Sequence, residues 1–240
     1  MSRFVVAVLF GFILCSNLTS LFGQQQKSNR KKAPNPAFAE IVETPGLPRV
    51  LLLGDSISIG YTLEVREALK GKANVHRPAS NCGPTTTGLA NIDSWLGDRK
   101  WDVIHFNFGL HDLKYTMKGS AGLVDVNKEG ASQQVPIEKY QKNLETLVTR
   151  LKKTGAQLIW CSTTPVPEGA KGRYPSDPPK YNLAAKEVMD RLDVKTNDLF
   201  SFALARLPDI QLKANVHFSK AGSKVLAKEV ASKIQENLPE

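Results

Sequence analysis

Two short polar blocks, far apart in the chain, carry the side chains best suited to nucleophilic catalysis. Gly54-Asp55-Ser56 directly follows a run of apolar residues, and His217 stands in a polar loop before the last amphipathic stretch. A serine hydroxyl becomes a nucleophile when a neighbouring histidine accepts its proton, and histidine is the side chain that changes charge nearest to neutral pH. Taken alone, the first block is also typical of a helix cap. His217, taken alone, is also typical of a histidine in a solvated loop.

Two further blocks contain groups that stabilise negative charge. Gly83 lies in the turn 81–85, where the missing side chain lets a backbone N–H approach a developing oxyanion. His111 follows an apolar run that ends at Phe108, and its ring offers an N–H donor. An ordinary turn and a histidine with a structural hydrogen bond are the alternative interpretations of these two blocks.

Apolar runs and amphipathic stretches alternate along the chain and predict the elements that position these blocks. Buried strands are predicted at 50–53, 74–77, 102–108 and 157–162, with a short fifth strand at 194–199. Helical spacing predicts helices at 57–70, 87–96, 137–153, 180–191 and 221–237. Two surface loops are predicted at 114–134 and 163–179.

Repeated alternation of strand and helix is typical of a parallel sheet with right-handed crossover connections. The expected fold class is therefore α/β, a three-layer α/β/α sandwich around a five-stranded parallel sheet. In such folds ligands bind at the carboxyl ends of the strands, which is where the four blocks fall.

The N-terminal composition predicts an exported protein. Residues 1–23 combine a single basic residue with an apolar stretch and end on a small residue, which indicates a cleaved signal peptide and a secreted or periplasmic location. The apolar run is too short for a membrane span, so no stable span is expected after cleavage. An uncleaved N-terminus that anchors the protein is the alternative. Residues 24–45 are predicted to be a polar basic linker, and 46–238 a single domain.

Composition excludes several classes of partner and cofactor. The 240 residues include 32 Lys and Arg against 23 Asp and Glu, a formal net charge of +9. The basic cluster near residue 30 lacks interleaved aromatic residues, so no nucleic-acid partner is expected. With three cysteines and four histidines, neither a disulfide scaffold nor a metal cluster is expected, and no cofactor is predicted.

In their order and on these elements, the four blocks resemble those of the SGNH hydrolases, also called GDSL-type esterases and lipases. Gly54-Asp55-Ser56 matches the first block, and Gly83 matches the glycine of the second. Gly109-Leu110-His111-Asp112 matches Gly-x-Asn-Asp of the third, with His in the Asn place, and His217 matches the histidine of Asp-x-x-His. The resemblance covers roughly 49–234 and implies the flavodoxin-like SGNH fold, with sheet order 2-1-3-4-5.

The resemblance implies an exported serine ester hydrolase that forms an acyl-enzyme on a small acyl ester. Acylated saccharides, carbohydrate O-acetyl groups above all, are the expected substrates. Ser56 is expected to be the nucleophile and His217 the base, and the N–H groups of Ser56 and Gly83 with the His111 ring would form the oxyanion hole. The alternative is a catalytically weak or inactive SGNH-fold module that binds a carbohydrate or another ligand.

The expected carboxylate partner of His217 is missing. Ala214 stands three residues before His217, where the family has Asp, and Asn215 stands two residues before it. Three interpretations remain: Asn215 or a main-chain carbonyl orients His217 in a Ser–His dyad, another acid such as Asp209 reaches it, or catalysis is weak or lost.

The remaining histidines and cysteines are assigned structural roles. His105, in the middle of a predicted strand, is expected in the core, and His76 at the surface. The sheet order implied by the family would separate Cys82 and Cys161 by about 14 Å, which is too far for a disulfide. A disulfide would require the loop carrying Cys82 to fold inward, and that alternative stays open.

Overall fold

The computed structural model describes residue 1 and residues 34–239. The described residues form seven strands: β1 (Arg49–Leu53), β2 (Asn74–His76), β3 (Val103–Phe106), β4 (Tyr115–Met117), β5 (Ala131–Gln133), β6 (Gln157–Cys161) and β7 (Lys195–Asn197). Five of them make one parallel sheet in the order β2-β1-β3-β6-β7, and β4 and β5 pair as a separate antiparallel hairpin.

Helices flank the sheet in two groups and give the predicted three-layer α/β sandwich, which is confirmed. The helices are α1 (Ser56–Ala68), α2 (Thr85–Leu96), α3 (Ile137–Lys152), α4 (Asp177–Arg191), α5 (Leu199–Leu204), α6 (Leu207–Ile210) and α7 (Lys220–Gln235). Helix α1 packs along α7, while α2, α3 and α4 pack side by side. No helix of the described part is both long and apolar enough to cross a membrane.

The central strands form the core because helices cover both faces of the sheet. Every residue from Val50 to Leu53 is at most 1% exposed. His105, in the middle of β3, is 1% exposed, and burial lowers its pKa to about 4, so the ring is neutral at neutral pH. It is therefore a core histidine, as predicted. Cys82 and Cys161 are both buried and free, so they form no disulfide.

The structure differs from the sequence prediction at the edges of the domain. The compact unit begins at Pro34 rather than at residue 46. Residues 34–45 pack on the domain through long-range hydrogen bonds, such as the one from Thr44 N to Asn74 Oδ1 at 2.8 Å. This segment also covers His76, which was predicted at the surface but is 8% exposed. The predicted signal peptide and residues 24–33 lie outside the described residues.

Segments predicted as loops or left unassigned contain regular structure that the sequence pattern did not indicate. The predicted loop 114–134 contains the β4–β5 hairpin, which closes on itself by antiparallel pairing of Tyr115 with Gln133. Helices α5 and α6 were not predicted, because each is too short to show a helical period in its apolar residues.

A buried polar cluster connects the end of β3 to α2 and α3. The Asp112 carboxylate accepts hydrogen bonds from the Thr85 backbone N–H, at 2.9 Å, and from the Thr85 hydroxyl. The Asn143 side chain in turn donates to that hydroxyl at 2.9 Å. Asp112 is fully buried, its second oxygen has no partner among the described residues, and burial raises its pKa to about 7.

Asp112→Asn should reduce the pH dependence of stability. A carboxyl whose pKa is raised in the folded protein stabilises it fully below the ordinary pKa of 3.8, and this contribution is lost as pH rises through about 7. Asn keeps an acceptor for Thr85 but does not titrate. Urea unfolding between pH 4 and pH 8 should therefore show a larger loss of unfolding free energy for the wild type. Equal pH slopes for the two proteins would contradict this assignment.

Candidate active site

Ser56 is the first residue of α1, directly after the turn that ends β1. Asp55 caps the helix, with its side chain accepting from Ile57 N–H at 2.9 Å. The N–H of Ser56 donates to no described residue, as is usual for the first donors of a helix. An unpaired donor at the positive end of the helix dipole favours negative charge beside the Ser56 hydroxyl.

His217 is held in a short loop that closes on itself before α7. Gln211 and Phe218 form an isolated antiparallel bridge, and Leu212 N–H donates to His217 O at 3.0 Å. The Gln211 amide adds a hydrogen bond to Val216 O at 3.2 Å. These contacts fix the backbone of His217 relative to the start of α7.

The packing of α7 on α1 brings this loop to the nucleophile. Helix α7 begins at Lys220, with Ser219 accepting from Gly222 N–H at 2.9 Å. A side chain at position 222 would overlap the Ile210 carbonyl oxygen, so glycine alone allows the first turn of α7 to lie against the preceding loop. This close approach sets where His217 meets the start of α1.

Ser56, His217 and Asn215 form one hydrogen-bonded relay. Ser56 Oγ lies 2.9 Å from His217 Nε2, and His217 Nδ1 lies 2.8 Å from Asn215 Oδ1. Asn215 Oδ1 also accepts from the backbone N–H of His217 at 3.0 Å. The structure places Asn215 beside the ring, which is the geometry that the first of the three interpretations requires. Asp209 makes no hydrogen bond or ion pair with His217 within the described part of the chain.

The backbone hydrogen bond determines the orientation of the Asn215 amide and hence the histidine tautomer. The backbone N–H can only donate, so the atom that faces it must be the carbonyl oxygen of Asn215. The ring nitrogen that contacts the same oxygen must then carry a proton. His217 Nε2 is left with its lone pair directed at Ser56 Oγ, which is the tautomer that a general base requires.

The second block lies beside the first, but its proposed donor is occupied. Cys82 N–H donates to Gly54 O at 3.2 Å, which places the turn next to the start of α1. Gly83 has a positive φ of 62°, as expected for a glycine turn, yet its N–H donates to Asn81 Oδ1 at 2.9 Å. Gly83 can donate to an oxyanion only after the Asn81 side chain turns away.

His111, the third residue of the third block, is partly buried. Its ring makes no hydrogen bond with residues 34–239. Burial, above all, and the charges of Lys114, Arg173 and His217 lower its pKa, against an opposing effect of Asp55. The ring is therefore neutral at neutral pH and has one N–H to donate. This arrangement suits the third donor of an oxyanion hole.

Sequence reasoning missed Arg77, which connects the first two blocks. Its guanidinium donates to Ser58 Oγ, Gly54 O and Ser80 O at 3.1 to 3.3 Å, and to Thr62 Oγ1 at 2.8 Å. It is 9% exposed. The one available signal was a basic residue at the end of a predicted buried strand, which by itself is equally typical of a solvated loop.

The described residues contain no group of three or more His, Cys, Asp or Glu arranged to hold a metal ion. The side chains gathered at this site offer the chemistry of the relay and of the N–H donors around it. A serine hydroxyl, a correctly oriented imidazole and two or three N–H groups are sufficient for acyl transfer.

A family model and a curated relative that match this chain both carry a GDSL lipase description. The family model described as GDSL-like Lipase/Acylhydrolase matches residues 50–230. A GDSL esterase/lipase of Arabidopsis thaliana is 30% identical over 122 residues, covering 43% of this chain and 50% of its own length. The chain thus spans about half the length of that curated relative.

Solved structures share the fold at low sequence identity. An acetylxylan esterase from Geobacillus stearothermophilus is 17% identical with a TM-score of 0.64, covering 78% of this chain and 94% of its own. A lipase/acylhydrolase from Enterococcus faecalis is 19% identical with a TM-score of 0.63, covering 80% of this chain and 98% of its own. These likenesses establish the architecture around the relay.

Substitutions at Asn215 should change the reactivity of Ser56 in opposite directions. Asn215→Ala removes the acceptor that orients the ring, and we expect Ser56 to react about 10²-fold more slowly. Asn215→Asp keeps an oxygen in the same place and adds a negative charge beside the imidazolium, so the reaction should be faster than in the wild type. The rate of Ser56 labelling by a fluorophosphonate, followed by mass spectrometry, measures both effects.

Lys213→Ala is the matched control, because Lys213 is exposed in the same loop and its side chain makes no hydrogen bond or ion pair with His217 or Ser56. It should label at the wild-type rate. Equal labelling of Asn215→Ala and wild type would show that Asn215 does not orient the base.

Proposed function

Because the chain belongs to the GDSL-like lipase/acylhydrolase family, we propose that it is a serine ester hydrolase with Ser56 as its nucleophile. The observation that carries the proposal is the relay of contacts from Ser56 Oγ through His217 to Asn215 Oδ1. The backbone bond to the same oxygen implies that the ring proton is on Nδ1. This relay forms although the chain lacks the family's aspartate.

The relay accounts for both halves of an acyl-enzyme reaction. Ser56 Oγ attacks the ester carbonyl while its proton passes to His217 Nε2, and the collapsing intermediate releases the alcohol, which takes that proton. Water then attacks the acyl-enzyme and loses a proton to Nε2. When the bond to Ser56 Oγ breaks, Nε2 returns that proton to Ser56 and the carboxylic acid is released. Asn215 Oδ1 accepts from Nδ1–H throughout and stabilises the imidazolium as a dipole.

The oxyanion of each intermediate would be held by three N–H groups. Ser56 N–H is already unpaired, and the neutral His111 ring supplies a second donor. Gly83 N–H becomes the third when the oxyanion replaces Asn81 Oδ1 as its acceptor. Loss of one such donor in a serine protease reduces turnover by about 10²–10³, so the release of Asn81 affects the rate directly.

The proposed substrates are small acyl esters, with O-acetyl groups on saccharides favoured. His217 and Asn215 are exposed, so the relay is open to an acetyl group carried on a larger molecule. Structural relatives that include an acetylxylan esterase are consistent with this choice.

Hydrolysis of p-nitrophenyl acetate by the purified protein tests the proposal. Ser56→Ala should reduce turnover to the uncatalysed rate, and His217→Ala should reduce kcat/KM by about 10²–10⁴, the usual contribution of a general base. Ser232→Ala, at an exposed serine of α7, is the matched control and should keep wild-type activity.

Two outcomes would count against this assignment. Wild-type turnover as slow as that of Ser56→Ala would reject the hydrolase and favour a module that only binds its ligand. A His111→Asn variant that loses as much activity as His111→Ala would reject His111 as a donor, because an amide can replace the ring N–H.

We also propose that the hydrolase is exported, because residues 1–23 have the composition of a secretory signal. Expression in a bacterial host with an intact secretion system should yield a protein whose N-terminus, read by mass spectrometry, begins at Gln24. Recovery of the protein from the cytoplasm with Met1 still present would contradict this proposal.

A further inference from the structure

Arg173 is a buried cation beside the third block, and its terminal nitrogens have no partner among the described residues. It lies in the loop between β6 and α4, is 8% exposed, and donates from Nε to Leu110 O at 2.9 Å. Leu110 directly precedes His111, so this bond holds the guanidinium next to the third block. Nη1 and Nη2 make no hydrogen bond or ion pair with any of residues 34–239.

The loop that carries Arg173 is fixed by the β4–β5 hairpin. Gly172 O accepts from Tyr115 N–H at 2.8 Å, and the rings of Tyr115 and Tyr174 meet edge to face at 5.3 Å. The Tyr174 hydroxyl also donates to Asn127 Oδ1 at 2.8 Å. Arg173 is thus held in place on both sides, and little side-chain entropy remains to be lost when a ligand binds.

A second buried cation, Lys114, lies close enough to Arg173 that the charge of Arg173 helps to lower the pKa of Lys114, after the larger effect of burial. Lys114 is 7% exposed and its ammonium donates only to the backbone oxygen of Ala121. The one acid that acts favourably on Arg173 is Asp55, whose carboxylate already caps α1 and forms no ion pair with the guanidinium. Burying a cation without a partner is costly, and a guanidinium with two free nitrogens presents a fork that matches a carboxylate.

We propose that Arg173 binds a carboxylate on the substrate, so that the site prefers acyl esters of acidic saccharides such as uronic acids over those of neutral ones. The inference rests on the proposed ester hydrolysis and specifies its substrate class. The fixed guanidinium would orient the sugar so that its acyl group reaches Ser56.

A matched pair of substrates tests the proposal: an O-acetylated methyl glucuronoside and the O-acetylated methyl glucoside, which differ only in carboxylate against hydroxymethyl. We expect wild-type kcat/KM to favour the charged substrate about 10- to 100-fold, as for a charge-assisted bidentate contact, and the preference to shrink as salt is raised. Arg173→Met should remove the preference. Arg173→Lys, which keeps the charge but not the fork, should show an intermediate ratio.

Lys171→Met is the matched control, because Lys171 is exposed in the same loop and makes no hydrogen bond or ion pair in the described structure. It should keep both the preference and the basal activity. Should Arg173→Met fail to fold, as judged by thermal unfolding, the wild-type ratio, its salt dependence and the Arg173→Lys ratio decide the question.

The inference and the proposed function fail in different ways. Ser56-dependent hydrolysis of p-nitrophenyl acetate without preference for the charged sugar would overturn the carboxylate site and leave the hydrolase standing. If Arg173→Met lost the same fraction of kcat/KM on both sugars, the carboxylate site would be overturned as well, because Arg173 would then act on the oxyanion. If no ester is hydrolysed, calorimetric titration with methyl glucuronoside still tests the carboxylate site. Binding by the wild type but not by Arg173→Met supports the site, and no binding by the wild type overturns it.

Discussion

The two hydrogen bonds that Asn215 Oδ1 accepts from His217 are the constraint on which the site depends. An amide has an accepting and a donating end, and if the donating end faced the ring, His217 would carry its proton on Nε2 and could not act on Ser56. Here the backbone N–H of His217 prevents that orientation, because a turned amide would bring two donors together. A carboxylate needs no such restraint, since both of its oxygens accept. The two-residue spacing between Asn215 and His217 supplies the second donor, which fixes the accepting end of the amide towards the ring.

These two hydrogen bonds fix the ring only if the loop that carries Asn215 and His217 is rigid. Several contacts around the loop hold it in place. The bridge between Gln211 and Phe218 fixes the backbone of the loop, and Gly222 allows α7 to begin directly against Ile210. On the other side of the site, Arg77 connects the turn before Ser56 to the loop before Gly83. The nucleophile and the base therefore sit on separate, independently braced elements, and the packing of α1 on α7 sets the distance between them.

The features that could be predicted from the sequence are those whose residues are close together in the chain. The sheet and the four blocks were predictable because strand ends and turn residues adjoin in the chain, and a parallel sheet gathers its carboxyl ends at one edge. Asn215 could be proposed as a partner of His217, but the orientation of its amide depends on three-dimensional geometry. Arg173 gave no signal, since a basic residue in a proline-rich loop is typical of solvent exposure. Its 8% exposure follows from contacts that are distant in the chain, such as its hydrogen bond to Leu110 O.

The absence of an acid beside His217 and the presence of Arg173 bear on the same electrostatic problem. In the proposed reaction a positive imidazolium forms on His217. No carboxylate of the described residues hydrogen-bonds to that ring, and Asn215 offers it only a dipole. Asp55, His217 and the buried cations Lys114 and Arg173 all act on His111, so one acid and three basic side chains share this region. A substrate carboxylate seated on the Arg173 guanidinium would neutralise one of these cations at the moment of attack. The substrate would then bring a negative charge to a region in which the chain itself has none at position 215, so recognition of an acidic sugar and the charge balance of the site would depend on the same contact.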